Sequence, residues 1–421
     1  MKSSRIPGFY KLGVDERLKL VKEFSGLTEE EVELLKSMSA LSIERADKMI
    51  ENVIGGITYP LGIATNFMIN GRDYLIPMAI EEPSVVAAAS KGAKIAREGG
   101  GFRAWADEPV MIGQVQVVGL KDAWRGKVEV LKLKEEILKK ANEQSKTLPK
   151  LGGGAKDLRV KLLETRRGEM LVVELLIDVR DAMGANVVNS MAEAVAPMIE
   201  RATGGRALLR ILSNLSDLRL ARAYAVFPKE LVGEDVIQGI LDAYEFARRD
   251  PYRCATHNKG IMNGIVAVAM ATGQDTRALE AGAHAYASLG GYKPLTKWEV
   301  NSEGDLVGSI ELPLAVGIVG GSIRANPIAE ICLKILGVKS SRELAEVMAS
   351  VGLAQNFSAL RALVSEGIQR GHMKLHARNL AVSAGAKGEL IDRIAERMVE
   401  EGRVSFSRAK ELLEELSEKT F

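Results

Sequence analysis

A lysine, three carboxylates and two histidines stand where acid–base or electrostatic chemistry can be done with them. Lys259 sits in Thr256-His257-Asn258-Lys259-Gly260, just ahead of the apolar run Ile261 to Ala271, which can bury its ammonium, lower its pKa and let it polarise a carbonyl. Glu81-Glu82-Pro83 sets two carboxylates at a helix start, where the dipole favours their charged form. Asp275, in Gly273-Gln274-Asp275-Thr276, is a natural N-cap. His372 and His376 are four apart, so a helix puts both on one face. Each also has an ordinary reading, as a surface lysine at a helix entry, capping acids or a solvated basic turn. The histidine pair lacks an intervening HExxH glutamate and a third ligand, so no metal is expected.

Folded elements have to bring these scattered positions together. Thr28 with Glu31 forms a capping box ahead of Val32, Leu34, Leu35 and Met38, and Ala46, Met49, Ile50, Val53 and Ile54 share a helical face before Gly55-Gly56. Asn70-Gly71, flanked by Phe67-Met68-Ile69 and Tyr74-Leu75-Ile76, predicts a hairpin, because a type I′ turn needs positive φ at both central residues. Pro83 to Arg97 reads as a helix. Strand texture follows at Val110 to Leu120, Leu158 to Leu163, Met170 to Val179 and Ala207 to Leu212, with helices at Leu131 to Gln144 and Asn186 to Arg201. That alternation predicts a small α+β unit inserted in the chain. Helical texture returns at Val236 to Arg249 and continues, apart from strand-like Leu306 to Leu312, to helices around Ile391 to Val399 and Ala409 to Leu416. Gly152-Gly153-Gly154 and Gly320-Gly321 fit neither glycine frame that cradles phosphates and read as turns.

The chain has 421 residues, 47% of them hydrophobic, enough for two or three domains with separate cores. Lys+Arg at 57 nearly cancel Asp+Glu at 55, and no long basic stripe occurs, which argues against a nucleic-acid partner. Cys254 and Cys332 are far apart and read as buried small residues in a reducing compartment. The first residues lack the apolar centre of a secretory signal, and the Ile261 to Ala271 run is about half the roughly 20 residues a membrane span needs. A cytoplasmic protein without a membrane span is expected.

Six blocks carry a resemblance: Glu51-Asn52-Val53-Ile54-Gly55, Glu81-Glu82-Pro83-Ser84, Asp178-Val179-Arg180-Asp181-Ala182-Met183-Gly184-Ala185-Asn186, His257-Asn258-Lys259-Gly260, Gly273-Gln274-Asp275 and Gly371-His372-Met373. In order and spacing they closely resemble class II hydroxymethylglutaryl-CoA (HMG-CoA) reductases, from about Arg5 past Arg378. The resemblance implies an α+β fold: a mostly helical large domain at 1–107 and 217–370, a small ferredoxin-like dinucleotide domain at 108–216 and a C-terminal helical lid at 371–421. It implies reduction of HMG-CoA to mevalonate and CoA with two NAD(P)H, in a homodimer whose active site crosses the subunit boundary.

Carried over by position, the catalytic residues are Glu82, Lys259, Asp275 and His372. Lys259 would stabilise the thioester oxyanion, His372 protonate the departing CoA thiolate and Glu82 protonate the aldehyde, with Asp275 tuning the lysine and glutamate. Arg253, Ser84, Asn263 and Gln355 are implied contacts to the hydroxymethylglutaryl end; Asp181, Met183, Gly184, Asn186 and Asn214 are implied contacts to the dinucleotide. An NADH-preferring relative carries an aspartate shortly after the positions of Ala141-Asn142; this chain has Ser145 then Lys146, which removes a repulsion against a 2′-phosphate and leans toward NADPH over NADH. Tyr10, next to Lys11, replaces an arginine of that relative, and a contact of Lys11 to CoA stays open. The rivals are the same reaction in reverse as mevalonate oxidation, a non-catalytic CoA- or nucleotide-binding scaffold, and a Schiff-base lysine enzyme.

Overall fold

Asn70 and Gly71 take φ of 51° and 78°, and the turn they make pairs β1 (Leu61–Ile69) with β2 (Arg72–Ala79) in antiparallel register, as their sequence predicts. The computed structural model describes residues 3–38, 41–365 and 368–417, with the side chains of Ser322, residues 368–375 and Ser417 outside that description. Upstream, the Thr28–Glu31 capping box is present and opens helix Glu29–Ser37. The helical face expected from Ala46 to Ile54 does not form: helix Ile43–Ala46 ends at once, and Met49, Ile50 and Ile54 are exposed. An amphipathic face needs a surface to cover, and the chain itself provides none there.

After helix Val85–Glu98 the chain adds β3 (Phe102–Ala106) beside β1, then leaves this sheet for the inserted unit. β4 (Val110–Val118), helices Ala123–Lys132 and Lys134–Asn142, β5 (Gly154–Thr165), β6 (Gly168–Asp178), helix Ala185–Thr203 and β7 (Arg206–Leu212) give a βαββαβ order. The sheet runs β5-β6-β4-β7, antiparallel throughout, the ferredoxin-like arrangement expected. Val115, Leu171, Val173, Leu175 and Ile177 pack on Val188, Met191, Val195 and Ile199 to make its own core. Helix Lys134–Asn142 falls within the single helix expected from Leu131 to Gln144, while helix Ala123–Lys132 ahead of it is not among the expected elements; Asp122 opens it as N-cap by accepting the Arg125 N–H (2.9 Å).

The chain then returns with β8 (Leu220–Phe227), β9 (Thr296–Val300) and β10 (Leu306–Pro313), completing a six-stranded sheet in the order β2-β1-β3-β8-β10-β9. Helix Ser341–Val364 forms the axis of the large core; Phe357 stacks on Phe227 with centroids 3.9 Å apart. A Cβ at Gly92 would come within 2.4 Å of Ala354 O, so glycine lets helix Val85–Glu98 lie against that axis. Ser341–Val364 has the length and composition to cross a membrane, but 67% of its most apolar window is buried within the molecule, as befits a core helix. Helices Ile368–Ser383, Glu389–Glu400 and Phe406–Ser417 share a separate core of Ala377, Ala381, Ile394, Ala395, Met398, Ala409 and Leu412.

Candidate active site

Helix Pro251–Ala271 carries Lys259 and opens with two reinforcing signals, Pro251 at its first turn and Asp250 as N-cap to the Arg253 N–H (2.7 Å). Its orientation is held by polar groups buried on the side away from Lys259. The Thr296 hydroxyl donates to Asn356 Oδ1 (2.9 Å), so His257 Nε2 must donate to Thr296 Oγ1 (2.8 Å). The Trp298 indole N–H donates to the same Asn356 oxygen (2.9 Å). Burial, and secondarily the nearby Arg253 charge, pulls His257 down to about 3, so the imidazole is neutral. Asn258 accepts from Leu295 N–H (3.0 Å) and donates to Lys293 O (3.0 Å), fastening the next residue as well.

On the open side, Lys259 Nζ donates to Glu82 Oε2 at 2.9 Å and Asn263 Nδ2 to the same oxygen at 3.3 Å. Lys259 and Asn263 are four apart and share a helix face. Glu82 is brought there by the turn before helix Val85–Glu98, in which Ser84 adopts φ of 75°, a left-handed value uncommon for a non-glycine residue. The side chains of Lys259 and Glu82 are 61% and 38% exposed in the single chain, so water still screens the pair. Gln355, on the axial helix, is buried with its Oε1 unpartnered, against Gly264. Arg253 is half-buried in the first turn, where burial lowers its pKa. Thus Glu82, Lys259 and Asn263 converge, with Ser84 in the turn that carries Glu82 and Gln355 on the adjoining helix. His372 lies on helix Ile368–Ser383, but its side chain falls outside the described residues.

Asp275 stands elsewhere. Its carboxylate accepts the Ala278 N–H (3.1 Å) as N-cap of helix Thr276–Ala287, and Gln274 N–H donates to Ala269 O (2.8 Å), holding this loop at the far end of the Lys259 helix. Ten residue steps from Lys259 to Ala269 rise roughly 15 Å, beyond direct contact between the two side chains. The loop's neighbours are the residues matched to the dinucleotide. Asp181 Oδ1 accepts Ser341 N–H (2.8 Å), and its carbonyl accepts Ile318 N–H (2.9 Å). Gly184 at φ of 101° precedes helix Ala185–Thr203, so Met183, Gly184 and Asn186 surround a helix N-terminus, whose free N–H groups suit a pyrophosphate. Asn214 is exposed, its carbonyl against Gly282. Ser145 Oγ accepts Leu148 N–H (3.0 Å) in a turn whose downstream end reaches Arg180 through an Nη2 bond to Gly152 O (2.6 Å). Lys11 lies over the Tyr10 ring at 5.9 Å.

Sequence reasoning passed over Arg219. It is buried and donates to Ala182 O (3.2 Å), Met183 O (3.2 Å) and Val316 O, stapling the Ala182–Met183 loop to the chain at Val316. Burial draws its guanidinium down to about 10, with Asp178 and Asp181 pulling the other way, so it stays charged near neutrality. A single arginine in a polar stretch gives no motif to find. Cys254 and Cys332 are buried thiols pushed up to about 11 and about 12, in keeping with a packing role.

Comparison with known proteins shows the family. The family model described as hydroxymethylglutaryl-coenzyme A reductase matches residues 13–377. The 3-hydroxy-3-methylglutaryl-coenzyme A reductase of Archaeoglobus fulgidus is 60% identical over 415 residues, covering 98% of this chain and 95% of that one. A probable reductase of the same name from Borreliella burgdorferi is 39% identical, covering 79% and 77%. Among solved structures, the Streptococcus pneumoniae reductase superposes with a TM-score of 0.83 at 40% identity, covering 97% of this chain and 99% of that one. A class II structure of the Streptococcus pneumoniae reductase bound to NADPH, in open conformations, gives 0.81 at 40% identity, covering 96% and 100%. The chain belongs to the hydroxymethylglutaryl-coenzyme A reductase family and is an NAD(P)H-dependent oxidoreductase that reduces HMG-CoA on the way to mevalonate.

Proposed function

We propose that two copies of the chain build each active site, one supplying Glu82 and Lys259, the other Asp275 and the dinucleotide loop at Asp181–Asn186. The observation that carries this is the split geometry: Lys259 bonds Glu82 at 2.9 Å, whereas Asp275 is tethered to the opposite end of the lysine's own helix. Exposed Tyr252 on that helix, and exposed Ile50, Ile54 and Ile57 in the segment before β1, are apolar surface that a homodimer would cover. Covering the site also matters chemically, because a charge pair stabilises an oxyanion far better once water is excluded.

The dinucleotide, held by the small domain at 108–216, supplies hydride. Lys259 stabilises the oxyanion developing on the thioester carbonyl, and Asn263 helps hold Glu82 beside it. His372, on the lid at 371–421, protonates the CoA thiolate, and Glu82 protonates the aldehyde oxygen in the second half-reaction. Asp275 from the partner copy tunes both. Arg253, Ser84, Asn263 and Gln355 hold the hydroxymethylglutaryl end; the unpartnered Gln355 oxygen is suited to a substrate hydroxyl. Ser145 and Lys146 favour NADPH over NADH, and the enzyme works as a cytoplasmic homodimer on HMG-CoA.

Absorbance at 340 nm with HMG-CoA and NADPH or NADH tests the assignment. Oxidation of about two dinucleotides per thioester, slowed by about 10² to 10³ in Lys259→Ala, is expected. Full turnover in that variant would remove Lys259 from the mechanism.

A further inference from the structure

We propose that Gln274 is a positioning residue that ties the Asp275 loop to the dinucleotide loop, so that one side chain sets both dinucleotide affinity and turnover. The inference rests on the reading of Asp275 as catalytic and of Asp181–Asn186 as the dinucleotide site.

The contact is two-way. The Gln274 carbonyl accepts the Gly317 N–H (2.9 Å), and its amide donates to Gly317 O (2.9 Å) and to Thr272 O (2.9 Å). The side chain thereby meets both backbone groups of Gly317 while bracing its own turn. Gly317 in turn presses on the dinucleotide loop: a Cβ there would come within 2.5 Å of Met183 N, 2.9 Å of Ala182 C and 3.0 Å of Asp181 O. The next residues extend the contact, with Ile318 N–H bonded to Asp181 O (2.9 Å) and Val319 bridging to Ala182. Arg219 closes the arrangement by donating to carbonyls on both sides of the seam, Met183 and Val316. Asp275 and Met183 are thereby joined by hydrogen bonds of ordinary length and a backbone contact without room for a methyl group. Withdrawing the Gln274 amide frees the backbone at 317 and loosens the loop resting on it, and it releases the turn that presents Asp275.

The test uses the full-length protein carrying Gln274→Leu, similar in size but unable to hydrogen-bond. Its dissociation constant for NADPH alone should rise about tenfold and kcat should fall about tenfold. KM for HMG-CoA should stay within about twofold, since the hydroxymethylglutaryl contacts lie elsewhere. Gly317→Ala, pressing on Met183 directly, should reproduce the loss of NADPH affinity. Should Gln274→Leu not fold, Gln274→Glu carries the test: it keeps the acceptor for Gly317 N–H, loses both donations and should show the same two changes. Wild-type NADPH affinity and kcat in whichever variant folds would overturn the proposal, as would an equal loss across NADPH, HMG-CoA and thermal stability. Absence of turnover in the wild-type protein would instead count against the reading on which it rests.

Discussion

The Lys259 ammonium and the Asn263 amide share one oxygen of Glu82. An oxyanion placed there would meet a fixed cation, so Lys259→Ala should lower kcat by about 10² to 10³ while the fold persists, measured at 340 nm beside a thermal melt. Loss of the melt together with activity would make the lysine structural. Behind the loop proposed to hold the dinucleotide, Arg219→Lys keeps the charge but not the planar fork that reaches three carbonyls. It should weaken NADPH binding about tenfold and leave KM for HMG-CoA within about twofold; titrating NADPH fluorescence reads the first. Among these residues legibility in the sequence was uneven. Lys259, Glu82 and Asp275 read in isolation as a helix-entry lysine, a capping acid and an N-cap, and become site candidates only through the family resemblance of the blocks that hold them, whereas Arg219 acts through backbone carbonyls of residues far along the chain, which no local pattern records.

At the scale of elements, the helix that carries Lys259 depends on a neutral histidine. The folded His257 imidazole takes a proton near pH 3, the unfolded one near its ordinary 6.5. Between those values the unfolded chain binds the extra proton, so stability is full above about pH 6.5 and is lost as pH falls, by about 2 kcal/mol at pH 5. Thermal midpoints across pH 7 to 5 should fall more steeply in the wild type than in His257→Gln; equal slopes would contradict the neutral buried assignment. If the proposed cofactor site is right, Ser145→Asp in the small unit should lower kcat/KM with NADPH about tenfold relative to NADH, by setting a carboxylate against the 2′-phosphate. Unchanged cofactor preference would place that phosphate elsewhere. Strong local signals, the Asn70-Gly71 turn and the Thr28–Glu31 box, formed as predicted. β8 escaped notice because its inward residues Ala221, Ala223 and Ala225 are small and weak strand formers, so its alternation shows in burial rather than in propensity. The Ala46 to Ile54 face failed in the opposite way, its pattern present but Met49, Ile50 and Ile54 left exposed in the single chain.

For the whole molecule, that exposed apolar segment and the separation of Asp275 from Lys259 point to one cause. On the proposed reading a chain folded alone would hold two half-sites, and an isologous pair of chains would complete both at once. Light scattering should give about twice the 45.6 kDa of the chain. The most direct measurement mixes Lys259→Ala with Asp275→Asn, each inactive alone, under conditions that exchange subunits. With sites built across two copies, each mixed dimer carries one intact site, and activity should return to about a quarter of wild type. No recovery despite demonstrated subunit exchange would mean that Lys259 and Asp275 act within one chain and would contradict the account.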